Sequence, residues 1–150
     1  MRVLLQRVSA ASVHIGGQPV SEIGPGLLLF VGIAQGDSMD TVARLAERVV
    51  GYRVFADSEG KMNLDVRDAG GELLVVSQFT LAADTRRGRR PGFGPAAAPE
   101  NAKVLYQAFL SALTSALDET GVPVRSGVFA ADMQVQLIND GPVTFLLEST

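Results

Sequence analysis

Leu27 to Ile33 is a continuous apolar run introduced by Gly24-Pro25-Gly26. A run without polar alternation fits a strand covered on both faces, and so a central one. Leu73 to Phe79 returns as a second buried strand. Around these two, residues 1–8 read as a strand, and Val13 and Ile15 alternate against Ser12 and His14 in another. Gly16-Gly17 turns that strand back toward Val20 and Ile23. Asp37 or Ser38 can cap a helix whose Val42, Leu45, Val49 and Tyr52 recur at spacings of three and four. Residues 54–70 carry turn signals at Asp57-Ser58-Glu59-Gly60 and Ala69-Gly70-Gly71 and read mostly as loop.

Pro99 starts a second helix, with Ala102, Leu105, Tyr106, Phe109, Leu113, Ala116 and Leu117 on its apolar face. Gly121 and Pro123 end it. Met133, Val135 and Leu137 alternate with Gln134 and Gln136 in a following strand, and Val143 to Leu147 makes the last. Early hairpin-joined strands with two helices inserted later predict an α+β fold: a curved, largely antiparallel or mixed, barrel-like sheet with two main helices. No linker or repeat divides the chain, so one domain over 1–150 is expected.

Chemistry has few side chains to work with. The chain has 150 residues, 47% of them hydrophobic, and no cysteine, which removes thiolate nucleophiles, disulfides and Cys-based metal sites. His14, the only histidine, reads as an ordinary residue on the polar face of an early strand. A zinc site therefore has no ligand set, and a Ser-His-Asp triad would have to use His14. Gly24-Pro25-Gly26 precedes a strand and lacks the Lys-Ser/Thr ending of a phosphate loop. Asp37, Asp40, Asp65 and Asp68 are scattered without ligand spacing. No metal or cofactor is expected. The amino-terminal apolar stretch is too short for a signal peptide, and no run approaches the roughly 18 apolar residues of a membrane span, so a cytoplasmic protein without a membrane partner is expected.

The net charge of -3 argues against indiscriminate nucleic-acid binding. Its distribution is uneven: Arg86, Arg87, Arg89 and Arg90 crowd into Thr85-Arg86-Arg87-Gly88-Arg89-Arg90-Pro91-Gly92, a loop by its glycines and proline. Such a loop can draw a phosphate backbone to one face, or merely be a solvated charged segment.

Two segments concentrate polar atoms and tight backbone at the exits of apolar runs. They are Ser77-Gln78-Phe79-Thr80-Leu81 and Asn139-Asp140-Gly141-Pro142-Val143-Thr144. With Met1-Arg2-Val3-Leu4-Leu5-Gln6-Arg7-Val8, Gly60-Lys61-Met62-Asn63, Arg90-Pro91 and Phe129-Ala130-Ala131-Asp132-Met133, they resemble, in order and over nearly the whole chain, the D-aminoacyl-tRNA deacylase family. The resemblance implies a homodimer with active sites at the subunit interface and the aminoacylated 3′ end of tRNA as partner. It implies a hydrolase cleaving the ester of D-aminoacyl-tRNA. Gly141-Pro142 would be a Gly-cisPro element reaching into the partner's pocket and excluding L-amino acids.

The residues themselves suit that chemistry. An aminoacyl ester is already activated and its neighbouring 2′-hydroxyl can assist, so the protein need only position it and stabilise the oxyanion with main-chain N–H groups. The resemblance makes Phe79, Thr80, Gln78 and Ser77 the catalytic wall, with Thr80 positioning rather than attacking because no base activates it. Gly141, Pro142, Asn139 and Arg7 become substrate-binding, with Arg7 beside the Gly-Pro loop, and the four arginines tRNA-binding. If selection rests on rejecting an L side chain, glycyl-tRNA, as mischarged on tRNA(Ala), should be cleaved too. Two departures stand out. Ala130 replaces a glycine usual in the family, and the basic loop is richer in arginine. The alternatives are a non-catalytic nucleic-acid-binding protein, a purely structural protein, and a related deacylase with a trans Gly-Pro bond.

Overall fold

The computed structural model describes residues 1–149. Strand β1 (Arg2–Ile15) is a single element of 14 residues where the sequence suggested two. The reason is visible in its side chains. Val3 and Leu5 enter the core beneath the helices, whereas Val8, Ala11 and Val13 enter a second cluster. The alternation slips near Val8, where the pairing register shifts on both sides of that residue. A bulge lets the ladder continue while side chains change face. Gly16 and Gly17, with φ of 56° and 78°, then turn the chain into β2 (Gln18–Ile23). Both central residues of such a tight turn need positive φ.

β3 (Gly26–Gly32) has its leucines and valine fully enclosed. Helix α1 (Met39–Val50) is capped by Ser38, whose hydroxyl accepts the Thr41 N–H, while the Thr41 hydroxyl accepts the Ser38 N–H. Asp37 serves the preceding turn instead, accepting the Ala34 N–H at 2.7 Å. Tyr52 lies past the helix end and sets its ring edge-on to Phe145 at 5.7 Å. The expected loop contains a small ribbon, β4 (Phe55–Ala56) with β5 (Met62–Leu64). Asp57 organises its turn by accepting the N–H groups of Glu59 and Lys61 and the Asn63 amide.

β6 (Glu72–Ser77) lies parallel to β3. Its first residue approaches so closely that a Cβ on Gly26 would collide with the Glu72 backbone. Helix α2 (Pro99–Leu117) buries Ala102, Leu105, Tyr106, Phe109, Leu113 and Leu117, but Ala116 is exposed, contrary to the periodicity. A short strand unforeseen in the sequence, β7 (Val124–Ser126), pairs parallel with β6. β8 (Gln134–Glu148) runs 15 residues where two strands were expected.

The sheet order is β2-β1-β3-β6-β7, with β8 along the other edge of β1. Antiparallel and parallel ladders coexist, so the sheet is mixed. The Ser21 hydroxyl donates to the Ser126 carbonyl at 2.9 Å, which ties β2 to β7 and nearly closes the sheet into a barrel. Both helices cover one face, and the curled ends of β1 and β8 close over the other. No described helix is long and apolar enough to cross a membrane.

Candidate active site

β6 stops at Ser77, opposite Val31. The Gln78 N–H completes the ladder to the Val31 carbonyl at 2.7 Å, and the chain folds at once into a single 3-10 turn, Phe79–Ala82. The turn sits directly on β3, since a Cβ on Gly32 would lie 2.7 Å from Leu81 Cβ. Arg2 anchors it from the far side by donating to the Leu81 carbonyl at 2.7 Å. A helical turn leaves its first N–H groups without internal acceptors. Here those are Phe79 and Thr80, and neither donates to a backbone carbonyl among the described residues. The Gln78 amide donates to the Thr80 hydroxyl. An amide cannot take a proton, so it orients that hydroxyl without activating it.

Val31, Ser77, Gln78 and Phe79 line a cavity of about 720 Å³, walled on its other sides by α2 and residues 129–135. The sequence placed Tyr106 on a helix face and nothing more. In the structure it lines this cavity and donates its hydroxyl to the Val75 carbonyl at 3.1 Å. Burial pushes its phenol up to about 12. Gly16-Gly17, Pro99 and Ala102 also reach the cavity, and no local signal in the chain marks them for it. Asp132, exposed at the rim, is its one carboxylate.

Asn139, Gly141 and Pro142, inside β8 rather than at a strand exit, form a second group with Arg7 of the neighbouring β1. Asn139 donates to the carbonyls of Arg7 at 3.0 Å and Val143 at 3.1 Å, pinning both sides of the bulge. Arg7 donates to the carbonyls of Asp140 and Val54 and pairs with the Asp140 carboxylate at 3.1 Å. The Gly141-Pro142 peptide is cis. A Cβ on Gly141 would collide with the Asn139 side-chain oxygen.

The two groups are not brought together within one chain. Arg7 is level with Leu27 on β3, whereas Ser77 is level with Val31, and β8 and β6 are separated by β1 and β3. Standard spacings give roughly 13 Å along the strands and roughly 14 Å across them, so on the order of 20 Å in all.

The basic loop is pinned at its base, where Asp84 and Gly92 exchange N–H···O bonds of 2.7 and 2.9 Å. Arg86 closes a two-pronged pair on Asp84 and holds its carboxyl well below the usual range. Arg87, Arg89 and Arg90 are exposed and make no ion pair among the described residues. His14 does not line the cavity, and its Nδ1 is buried without a partner among the described residues, so it is less open than a polar strand face suggests. No group of three or more His, Cys, Asp or Glu with metal-binding geometry occurs among the described residues.

A family model described as D-Tyr-tRNA(Tyr) deacylase matches residues 4–148. The D-aminoacyl-tRNA deacylase of Alcanivorax borkumensis is 58% identical over 148 residues, 99% of each chain. That of Pectobacterium atrosepticum is 56% identical over 149 residues, covering 99% of this chain and 100% of its own. A solved structure named c-Myc DNA Unwinding Element Binding Protein superposes with a TM-score of 0.93 at 38% identity, covering 100% of this chain and 99% of that one. A second, described as a probable eukaryotic D-amino acid tRNA deacylase, shares the fold, with a TM-score of 0.81 at 17% identity and 97% of each chain covered. These likenesses put the chain among the hydrolases. It belongs to the D-Tyr-tRNA(Tyr) deacylase family, whose activity is the deacylation of D-aminoacyl-tRNA.

Proposed function

We propose that ester cleavage takes place at the mouth of the cavity beside Ser77, Gln78, Phe79 and Thr80, in a homodimer whose second chain completes the site. The observation that carries this is the unengaged N–H of Phe79, a residue lining a cavity poor in acid–base side chains, with the equally unengaged N–H of Thr80 one residue beyond that lining. Main-chain donors aimed at a developing oxyanion are each worth about 2.7–4 kcal/mol. The ester's own 2′-hydroxyl assists the attacking water, and Thr80 and Gln78 position the substrate.

The partner's Gly141 and Pro142 supply what this chain's own bulge is too distant to supply. Their carbonyls accept from the substrate's α-ammonium and leave no room for an L side chain. Glycyl esters, on tRNA(Ala) among others, then share the fate of D-aminoacyl esters. The exposed edge of β8 is the surface on which the second copy docks. Its Ile138 and Leu146 are 63% and 48% exposed, and an open apolar edge strand is otherwise a liability. Arg87, Arg89 and Arg90 meet tRNA phosphates, with Arg86 shared with Asp84. In this reading the chain works as one domain, needs no cofactor, and acts in the cytoplasm where charged tRNA is used.

Nucleic-acid binding without turnover is the second reading, favoured by the name of the 38% identical structure and by the unpaired arginines. The deciding experiment is hydrolysis of D-tyrosyl-tRNA against L-tyrosyl-tRNA with a chelator present. Rapid loss of the D-ester alone is the expected result. Survival of both esters with tRNA bound would transfer the case to the binding reading. Cleavage of both would remove the role given to Gly141-Pro142.

A further inference from the structure

Phe79 and Phe93 are 57% and 45% exposed, yet their rings touch, with centroids 5.2 Å apart and planes at 52°. Large aromatic rings left in water forfeit burial that the fold could have used. The contact is not incidental to the basic loop. Phe93 directly follows Gly92, at the pinned base of that loop. The Ala96 N–H donates to the Phe93 carbonyl at 3.1 Å, and Gln35 holds the next residues through Pro95 and Gly94 at 2.8 and 2.6 Å. A ring presented on backbone fixed from both sides is a platform rather than a tether.

The two rings also differ in what they reach. Phe79 lines the cavity, and Phe93 stands outside it, in ring contact with Phe79 and three residues along the chain from Arg90. Arg87, Arg89 and Arg90 lie within seven residues of Phe93 and have no carboxylate partner among the described residues. Aromatic faces interleaved with free cations match the chemistry of an unpaired nucleotide, with a π-face to stack and a phosphate to neutralise.

We propose that Phe93, braced by Phe79, is a stacking subsite for the unpaired nucleotide immediately 5′ of the one that carries the ester. Arg87, Arg89 and Arg90 take the adjoining phosphates. Phe93 is a positioning residue: it feeds the terminal nucleotide into the cavity and touches no reacting atom. This rests on the deacylase reading of the same cavity.

The test compares wild type with Phe93→Leu, Phe93→Ala and Phe93→Trp on two substrates, D-tyrosyl-tRNA and the D-tyrosyl ester of adenosine. Leucine keeps bulk and apolar character, so it serves even where alanine prevents folding. Aromatic–base stacks are typically worth enough to change affinity about tenfold or more on truncation. The expected result is a KM for the tRNA ester that rises about tenfold more than that for the adenosine ester in Phe93→Leu, with kcat on tRNA little altered and Phe93→Trp restoring KM. An equal rise on both substrates, or none on either, overturns the subsite. Binding of a short single-stranded RNA ending in CCA is measured in parallel. If wild type cleaves neither ester, the deacylase reading fails, and the RNA still decides the subsite. Weaker binding by Phe93→Leu, restored by Phe93→Trp, supports it, and equal affinities overturn it.

Discussion

Ala130 has φ of 63°, the only positive value outside glycine among the described residues. An L side chain there costs about 1–2 kcal/mol, against about 0.5–1 kcal/mol of chain entropy that glycine would lose. Ala130→Gly is therefore expected to stabilise the protein by about 0.5–1 kcal/mol, raising Tm by roughly 1–4 °C. An unchanged or lower Tm in a thermal melt would count against strain at this position. Because Ala130 also lines the cavity, the extra stability would come with a looser wall. The sequence pointed to this residue only through a family habit of glycine; its backbone angle is the physical content of that habit. At Gly141 the constraint is different, since its Cβ would strike Asn139, the residue that clips the Arg7 and Val143 carbonyls.

Among elements, α2 couples the core to the cavity through Tyr106. Its hydroxyl is held against the Val75 carbonyl, and its phenol titrates at about 12 in the folded state. The unfolded phenol titrates near 10, so the unfolded chain loses its proton first as pH rises. Stability from this group is intact below about pH 10 and falls between about pH 10 and 12, by roughly 2–3 kcal/mol in total. Val75 also accepts from the Gly127 N–H at 3.0 Å, so removing the phenol does not orphan that carbonyl. Tyr106→Phe should cost about 1 kcal/mol at pH 7 and lose less than wild type on going to pH 12. Urea unfolding at pH 7, 10 and 12 checks this; parallel losses in the two proteins would refute the assignment. The strands teach a second point. β1 and β8 were each expected in two pieces because their apolar alternation breaks at Val8 and at Asn139–Pro142. The breaks are bulges facing one another in a ladder that never stops.

At the scale of the whole molecule, the decisive fact is what one chain leaves open. Its two polar groups lie on the order of 20 Å apart by strand spacing, and its longest strand presents Ile138 and Leu146 to solvent. In the proposed dimer, a site completed by a second copy would make oligomeric state and activity inseparable. Ile138→Asp with Leu146→Asp should yield a folded monomer in sedimentation, with D-aminoacyl-tRNA hydrolysis down about a hundredfold or more, as expected when a positioning element is lost. A monomeric variant with full activity would dissolve the composite site.

Much was legible before any tertiary contact was known. The fully apolar Leu27–Ile33, the Gly16-Gly17 turn and the Pro99 start of α2 encode local structure through burial, φ preference and a missing N–H, so neighbours along the chain suffice to specify them. Residue types alone also withheld thiols and all but one histidine, which left side-chain acid–base chemistry few candidates. What only the tertiary structure decided was juxtaposition. Tyr106, Gly16-Gly17 and residues 129–135 share one cavity, and Phe93 rests on Phe79. Such meetings depend on sheet curvature and on which strand pairs with which, quantities set by the packing of residues distant in sequence.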